Sequence, residues 1–257
     1  GVDEVGDGEV DVTKEGRRVF DITMQDLVAP MTRPCALALL MGNHTVTKEM
    51  LALDAAHTPR ADLLEALQAI APTALSDEER SARGVTARRF LSVLDSTSTT
   101  DTLGFRIDAA KTIVNGELNA LPLPEGKTFD TLHAEDDVVD AFAAFFQRDA
   151  SLASAFSGKV QALLAALGRS TFFQRHVLLR TTLLFVYDDA SRSEFAELKM
   201  MNFGASYALP EGGESVVRHD VAWDGSKESD EDGYLQGVRE LDRVLRQVCD
   251  KCAPPIA

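Results

Sequence analysis

The chain has 257 residues, 45% of them hydrophobic, and a formal net charge of −15. A chain of this length can bury one sizeable core or two small lobes that share a cleft. The negative charge argues against nucleic acid and anionic membranes as partners, because both require a cationic surface. No apolar run approaches the roughly 18 residues that span a bilayer, so we expect a soluble protein without a membrane span.

The three cysteines form no disulfide framework, which favours a reducing, intracellular environment of unspecified compartment. Cys249 and Cys252 make a single C-x-x-C near the C-terminus, with no second pair and no histidine nearby. We interpret them as two thiols at the end of a helix rather than as a metal or redox site. The first residues are acidic and contain no apolar core, so no signal peptide is predicted.

The N-terminal elements are short. Residues 1–11 are acidic and predict a disordered lead-in. Residues 12–20 carry a turn signal between two strand-like runs, which predicts a hairpin. The apolar run 35–41, bounded by Pro34 and Gly42, predicts a buried strand.

A helical block follows, and its helices are predicted from apolar residues at helical spacing. These residues are, in chain order, Leu63, Leu67 and Ile70; Phe90, Leu91 and Leu94; Val138, Phe142, Phe145 and Phe146; and Leu152, Phe156, Val160, Leu163, Leu164 and Leu167. Pro59 is expected at the first helical position of the first helix. Ser76 and Glu79 should form a capping box, and Gly168 should end the last of these helices at a C′ position. We interpret the aromatic residues as core.

The C-terminal part predicts a hairpin and a final helix. Residues 181–188 and 195–201 are strand-like and flank a polar loop. An acidic, glycine-containing loop spans residues 212–232, and residues 233–249 show one apolar helical face. The element order predicts an α+β fold in which helices outnumber strands.

Two motifs carry a resemblance to a known family. Residues 202–204, Asn-Phe-Gly, follow the hairpin where kinase-like folds place the Asp-Phe-Gly metal ligand. Residues 101–107 resemble the T-L-G-F-R-I signature of inositol-trisphosphate 3-kinases. The similarity continues in order over nearly the whole chain, including residues 12–16, 25–27, 34–42, 209–212, 219–223 and 232–237. The chain is therefore identified as a degenerate member of the inositol polyphosphate kinase family.

The resemblance implies a domain organisation. Residues 12–42 would be a remnant hairpin, a hinge and the catalytic strand. Residues 43–112 would form the helical lobe that binds inositol phosphates in the family, and residues 113–257 the kinase-like large lobe. The small ATP-binding lobe of the family is expected to be largely absent.

The resemblance also implies that the reactive groups are altered. The family pattern P-x-x-x-D-x-K-x-G supplies a carboxylate and a lysine, and these positions are Ala38 and Leu40. In the family an Asp before Phe-Gly holds the metal, and this position is occupied by Asn202. A methyl group cannot accept a proton, an isobutyl group cannot neutralise a phosphate oxygen, and Mg²⁺ favours carboxylate oxygens. We therefore expect no intact catalytic residue, no metal site and no cofactor.

Residual ligand contacts are implied on two sides. On the nucleotide side, Thr181 and Thr182 replace two serines of the family. On the substrate side, basic residues match or lie beside basic family positions, namely Arg60, Arg88, Arg89 and Lys111. The alternative for these four is that they are solvated surface charges, as most exposed Lys and Arg are.

Three functions stay open. The preferred hypothesis is a pseudokinase that acts as a structural or protein-binding subunit of a larger assembly, docked through an uncovered cleft floor. The first alternative is an ATP- and Mg²⁺-dependent inositol phosphate kinase, which requires an upstream lobe and a substitute for the missing acid. The second is a non-catalytic inositol-phosphate sensor that uses Arg89 and Lys111.

Overall fold

The structure, a computed structural model, describes residues 11–12, 18–19, 25–52, 57–192, 194–210, 216–226 and 229–254. The chain divides into two compact units, Gly1–Pro30 and Met31–Ala257. In the first unit, strand β1 (Asp11–Val12) pairs antiparallel with β2 (Arg18–Val19), which confirms the predicted hairpin. Residues 1–10 of the expected disordered lead-in lie outside the described residues.

The second unit contains a five-stranded antiparallel sheet with the strand order β5-β4-β3-β7-β8. The strands of this unit are β3 (Pro34–Met41), β4 (Phe105–Val114), β5 (Glu117–Ala120), β6 (His176–Val177), β7 (Thr182–Asp188), β8 (Ala196–Met201) and β9 (Tyr207–Ala208). β6 and β9 form a separate two-stranded sheet. The predicted buried strand and the predicted C-terminal hairpin, β7 and β8, are confirmed.

Six of the nine α-helices in the described part of the chain were predicted, and three short ones, Lys48–Ala52, Thr100–Leu103 and Thr171–Arg175, were not. The helices are α1 (Lys48–Ala52), α2 (Ala61–Ile70), α3 (Asp77–Ala82), α4 (Ala87–Thr97), α5 (Thr100–Leu103), α6 (Glu135–Phe145), α7 (Ala150–Leu167), α8 (Thr171–Arg175) and α9 (Tyr234–Cys252). The capping box of Ser76 and Glu79 is present at the start of α3.

The main core lies between one face of the sheet and the helices α6, α7 and α9. The strict alternation of β3 places every second residue in this core, and Leu37 and Leu39 are fully buried. Phe142 and Phe156 of the facing helices are fully buried as well, which confirms that these aromatic residues are core. A second, smaller cluster holds α2 and α4 together around residues such as Leu67.

Two predicted helix ends were wrong, and a third was right in position. Pro59 does not start α2, because the Arg60 amide donates to the Val85 carbonyl at 3.0 Å and the Val85 amide returns a bond to Arg60 at 3.1 Å. This bridge holds Arg60 in an extended conformation, and the helix begins after it. α7 ends at Leu167 with Gly168 as its C-cap, as predicted, although the φ of Gly168 is −61° and therefore not left-handed. The last helix continues to Cys252.

Two further expectations differ from the structure. α7 is long and apolar enough, by length and composition, to cross a membrane, contrary to the sequence-based expectation. Its Phe156 and Val160 side chains nevertheless lie in the core, as in the central helix of a globular domain. The expected boundary between the helical lobe and the large lobe, at residues 112 and 113, falls inside β4. β4, which contains the end of the 101–107 signature, therefore belongs to the central sheet.

Candidate functional site

The face of the sheet opposite the main core, here called the open face, carries the altered family positions. On β3 the core-facing residues alternate with Ala36, Ala38 and Leu40, which are half-buried. Residues directly opposite each other in neighbouring strands point to the same face. Ala38 lies opposite Ala109 of β4 and Leu184 of β7, so both of its directly opposite neighbours on the open face are hydrocarbon side chains.

Leu40 has polar neighbours instead. It lies opposite Arg106 of β4 and Thr182 of β7. Asn202 follows β8 directly in a left-handed conformation, φ 62° and ψ 54°, which Asn tolerates better than most residues. Its Nδ2 donates a hydrogen bond to Thr182 Oγ1 at 2.8 Å. The structure therefore brings Leu40, Thr182 and Asn202 together, with Ala38 about 7 Å further along β3.

Thr181 and Thr182 have different surroundings. Thr182 faces Asn202, whereas Thr181 is fully buried and its carbonyl accepts a bond from the Met41 amide at 2.9 Å. Of the two predicted nucleotide-side residues, only Thr182 presents its side chain toward the open face.

A carboxylate that the sequence reasoning missed lies beside Ala38. The pairing of β3 with β4 shifts between Ala38 and Leu39, which leaves Asp108 as an extra, bulged residue of β4. Ile107 and Ala110 on either side are buried in the core, whereas Asp108 and Ala109 are exposed, so both face the open side. A bulge depends on the partner strand, so sequence periodicity alone carries no signal for it.

Comparison with known proteins identifies the scaffold. The family model described as inositol polyphosphate kinase matches residues 21–246. The chain belongs to the inositol polyphosphate kinase family. It is 32% identical to human inositol-trisphosphate 3-kinase B over 241 residues and 30% identical to rat inositol-trisphosphate 3-kinase A over 232 residues. These matches cover 93% and 90% of the chain but only 24% and 47% of the two relatives, so the chain spans less than half the length of either.

Solved structures of inositol phosphate multikinases share the fold of this family member. One matches with a TM-score of 0.55 at 16% identity and covers 88% of this chain and 85% of its own. The Saccharomyces cerevisiae enzyme, solved with ADP and Mn²⁺, matches with a TM-score of 0.52 at 16% identity, and the match covers 86% of this chain and 81% of that enzyme. The predicted α+β kinase-like fold is therefore confirmed.

The yeast structure contains ADP and Mn²⁺, so we asked whether the side chains around Asn202 could hold a divalent cation. At Asn202 this chain offers one uncharged amide oxygen, because the amide nitrogen is used by Thr182. Mg²⁺ and Mn²⁺ favour carboxylate oxygens. Among the described residues, no group of three or more His, Cys, Asp and Glu side chains is arranged to hold a metal ion. Asn202 therefore lacks the carboxylate that a divalent cation favours.

The predicted substrate-side residues fall into two groups. Arg60 donates to Asp62 at 3.1 Å, and Arg89 donates to Glu79 at 3.0 Å and to the Ala74 carbonyl at 2.7 Å. The guanidinium groups of both residues are therefore paired with groups in the segment from α2 to α3.

The other two predicted residues keep free charges. Arg88 of α4 is exposed, and its side chain makes no hydrogen bond or ion pair with any residue that the structure describes. Lys111 of β4 is exposed on the open face opposite Ala36, two residues from Ala109. Of the four residues, Lys111 alone lies on the same sheet face as Ala38 and Leu40.

A buried ion pair next to Leu40 was also missed by the sequence reasoning. Arg106 Nη1 lies 3.1 Å from Asp95 Oδ1, and both side chains are almost completely buried. The Thr45 amide and hydroxyl donate to Asp95 at 2.8 and 2.9 Å. Burial raises the pKa of Asp95, whereas the bonds from Thr45 and Arg106 oppose this rise. Together with Thr45, the pair connects α4, β4 and the segment after β3. The signature motif contains Arg106, but nothing in the sequence indicates that its partner is Asp95.

Proposed function

We propose that this chain is a non-catalytic member of the inositol polyphosphate kinase family that binds another protein through the open face of its sheet. The observation that carries this proposal is the strand register. This register puts Ala38 and Leu40 on the open face near Asn202. In the family motif, charged side chains occupy these positions. Removing one preorganised charged group typically costs about 10²- to 10³-fold in rate, and three such positions are altered here.

Protein binding is the activity that such a surface supports. Ala38, Ala109 and Leu184 form a hydrocarbon row across three strands, bordered by the charges of Lys111 and Asp108. An apolar centre with a polar rim is the usual anatomy of a protein interface.

The first test is phosphoryl transfer. The chain is incubated with radiolabelled ATP, Mg²⁺ and inositol tris-, tetrakis- or pentakisphosphate, with human inositol-trisphosphate 3-kinase B as the positive control. We expect no labelled product above the protein-free background. Transfer that Asn202→Ala abolishes, and that the control Asn119→Ala on β5 leaves intact, would overturn the proposal.

The second test is binding. Proteins retained from a cell extract by the wild-type chain should be lost with Ala109→Lys, which places a cation in the hydrocarbon row at an exposed position. Leu118→Lys on β5, an exposed position, is the matched control and should retain them. Equal retention by both variants would place the binding surface elsewhere.

Asp108 favours a second candidate function, the ATP-dependent kinase. A general base must lie within hydrogen-bond reach of the proton that it removes, and Asp108 is the exposed carboxylate beside the Ala38 position. If the chain does transfer phosphate, Asp108→Asn should abolish the transfer. Asp101→Asn, an exposed acid on α5, should leave it unchanged.

A further inference from the structure

Strand β8 forms one edge of the five-stranded sheet. Its inner side pairs with β7, and among the described residues no strand pairs with its outer side. An edge strand presents a row of unpaired amides and carbonyls, which is a template for pairing with another strand.

The register determines which backbone groups of β8 point outward. The Asp188 amide donates to the Phe195 carbonyl at 3.1 Å, which makes these two residues a hydrogen-bonded pair of the β7–β8 ladder. Hydrogen-bonded pairs recur at every second residue of an antiparallel ladder. The backbones of Glu197, Lys199 and Met201 therefore bond to β7. Those of Ala196, Leu198 and Met200 point outward.

The side chains of β8 are self-complementary. Glu197 and Lys199 flank Leu198 on either side and share the open face. They form an exposed ion pair with each other, Lys199 Nζ to Glu197 Oε2 at 3.0 Å, and such a pair contributes little stability. Either side chain can therefore change partner at low cost.

We propose that two copies of this chain associate by antiparallel pairing of their β8 edges around a two-fold axis at Leu198. Leu198 then exchanges backbone hydrogen bonds with Leu198 of the partner subunit. Glu197 lies opposite Lys199 of the partner subunit, and Lys199 opposite Glu197 of the partner subunit. The contact is isologous, as in most homodimers, and joins the two sheets into one.

Other registers are less favourable. An axis at Glu197 or at Lys199 would place two like charges directly opposite each other, which is destabilising. An axis at Ala196 or Met200 would separate both opposite-charge pairs and shorten the ladder. Only the axis at Leu198 combines outward backbone groups at the centre with two opposite-charge pairs.

Apolar surface flanks this edge on both sides of the sheet. On the helix side, a groove of about 290 Å³ is lined by Leu198 and Met200 together with small residues of α7, Ala162 and Ala166. On the open face, Phe195 is 37% exposed and would lie opposite Met201 of the partner subunit. Dimer formation would cover apolar surface that the single chain leaves in contact with water.

Sedimentation velocity tests the proposal on the 257-residue chain, from roughly 1 to 100 µM, where pairing of modest affinity is populated. We expect a concentration-dependent dimer. Glu197→Lys and Lys199→Glu should each weaken the dimer by about tenfold or more, because each turns two attractive pairs into repulsive ones. An equimolar mixture of the two variants should dimerise again, since each variant then faces opposite charges. A merely structural role of either side chain would not produce this rescue.

Hydrogen exchange gives an independent readout. The amides of Ala196, Leu198 and Met200 should become protected as the concentration rises, whereas those of Glu197 and Lys199, already bonded to β7, should not change. Glu117→Lys on β5, at the opposite edge, should leave the dimer constant unchanged. A chain that stays monomeric at the highest concentration, or single charge variants that dimerise like the wild type, would overturn the proposal.

Discussion

At the scale of single residues, the buried pair of Arg106 and Asp95 shows how an ion pair can order the neighbourhood of a site. Taking two charges out of water is unfavourable, and their attraction offsets this only when the remaining hydrogen bonds are made. The Thr45 amide donates such a bond to Asp95. The Thr100 hydroxyl oxygen accepts one from Arg106 at 3.1 Å. The network links α4 and the segment after β3 to Arg106, the β4 residue opposite Leu40.

Asp95→Ala should therefore destabilise the protein strongly. It leaves the Arg106 charge buried without a carboxylate, which typically costs about 3 to 5 kcal/mol of unfolding free energy. Urea unfolding at neutral pH measures this loss. The double variant Asp95→Ala/Arg106→Met should recover part of it, because the unpaired charge is then gone. A single variant within about 1 kcal/mol of the wild type would contradict a role for the pair in stability.

At the scale of elements, an ion pair connects the start of α6 to the middle of α9. Arg243 donates to both carboxylate oxygens of Glu135, at 2.6 and 2.7 Å, and Gln247 donates to Glu135 at 2.6 Å. The Arg243 and Gln247 hydrogen bonds lower the pKa of Glu135 to about 2. The two helices pack against the same face of the sheet. This ion pair therefore joins two neighbouring helices of the main core.

The sign of the pH dependence follows from this lowered pKa. A carboxylate whose pKa falls on folding stabilises the folded state above its unfolded pKa of 4.5, and this contribution is lost as the pH falls toward about 2. Glu135→Gln should lower the unfolding free energy at about pH 7 by at most about 1 kcal/mol, because the pair is partly exposed and screened.

Urea unfolding at about pH 7 and about pH 2 measures the difference. Wild type and variant should converge at the lower pH, and Glu125→Gln, an exposed acid outside the helices, should change neither value. A destabilisation by Glu135→Gln that is the same at both values would show that the Glu135 charge is not its cause.

At the scale of the whole molecule, the hydrophobic core formed by the residues that the structure describes lies in the second unit. All residues of the three hydrophobic clusters lie after Pro30. The sheet, including the open face and the edge strand β8, lies within the same unit.

A chain of residues 31–257 should therefore keep the unfolding midpoint of the full chain within a few degrees, a shift of less than about 1 kcal/mol for a protein of this size. It should also keep the same dimer constant. Differential scanning calorimetry and sedimentation velocity measure the two quantities. Loss of the cooperative transition, or a changed dimer constant, would contradict this prediction.

Much of the fold and part of the site follow from local sequence patterns. The alternation from Pro34 to Met41, the β7–β8 hairpin and the stripes of α6, α7 and α9 are periodic over several residues, and periodicity needs no knowledge of neighbours. The family motif likewise identified Ala38, Leu40 and Asn202 by position. The start of α2 could not be predicted, because a bridge from Arg60 to the distant Val85 decides it.

The sequence by itself determined the element types, the family and the identity of the side chains at the altered positions, because these depend on local spacing and on order along the chain. Tertiary structure alone decided which groups meet: Asp108 beside Ala38, Asn202 on Thr182, Arg106 against Asp95, and β8 at the edge of the sheet. Strand neighbours and register are set by packing between segments far apart in the chain, and a one-residue shift would move every side chain of a strand to the other face.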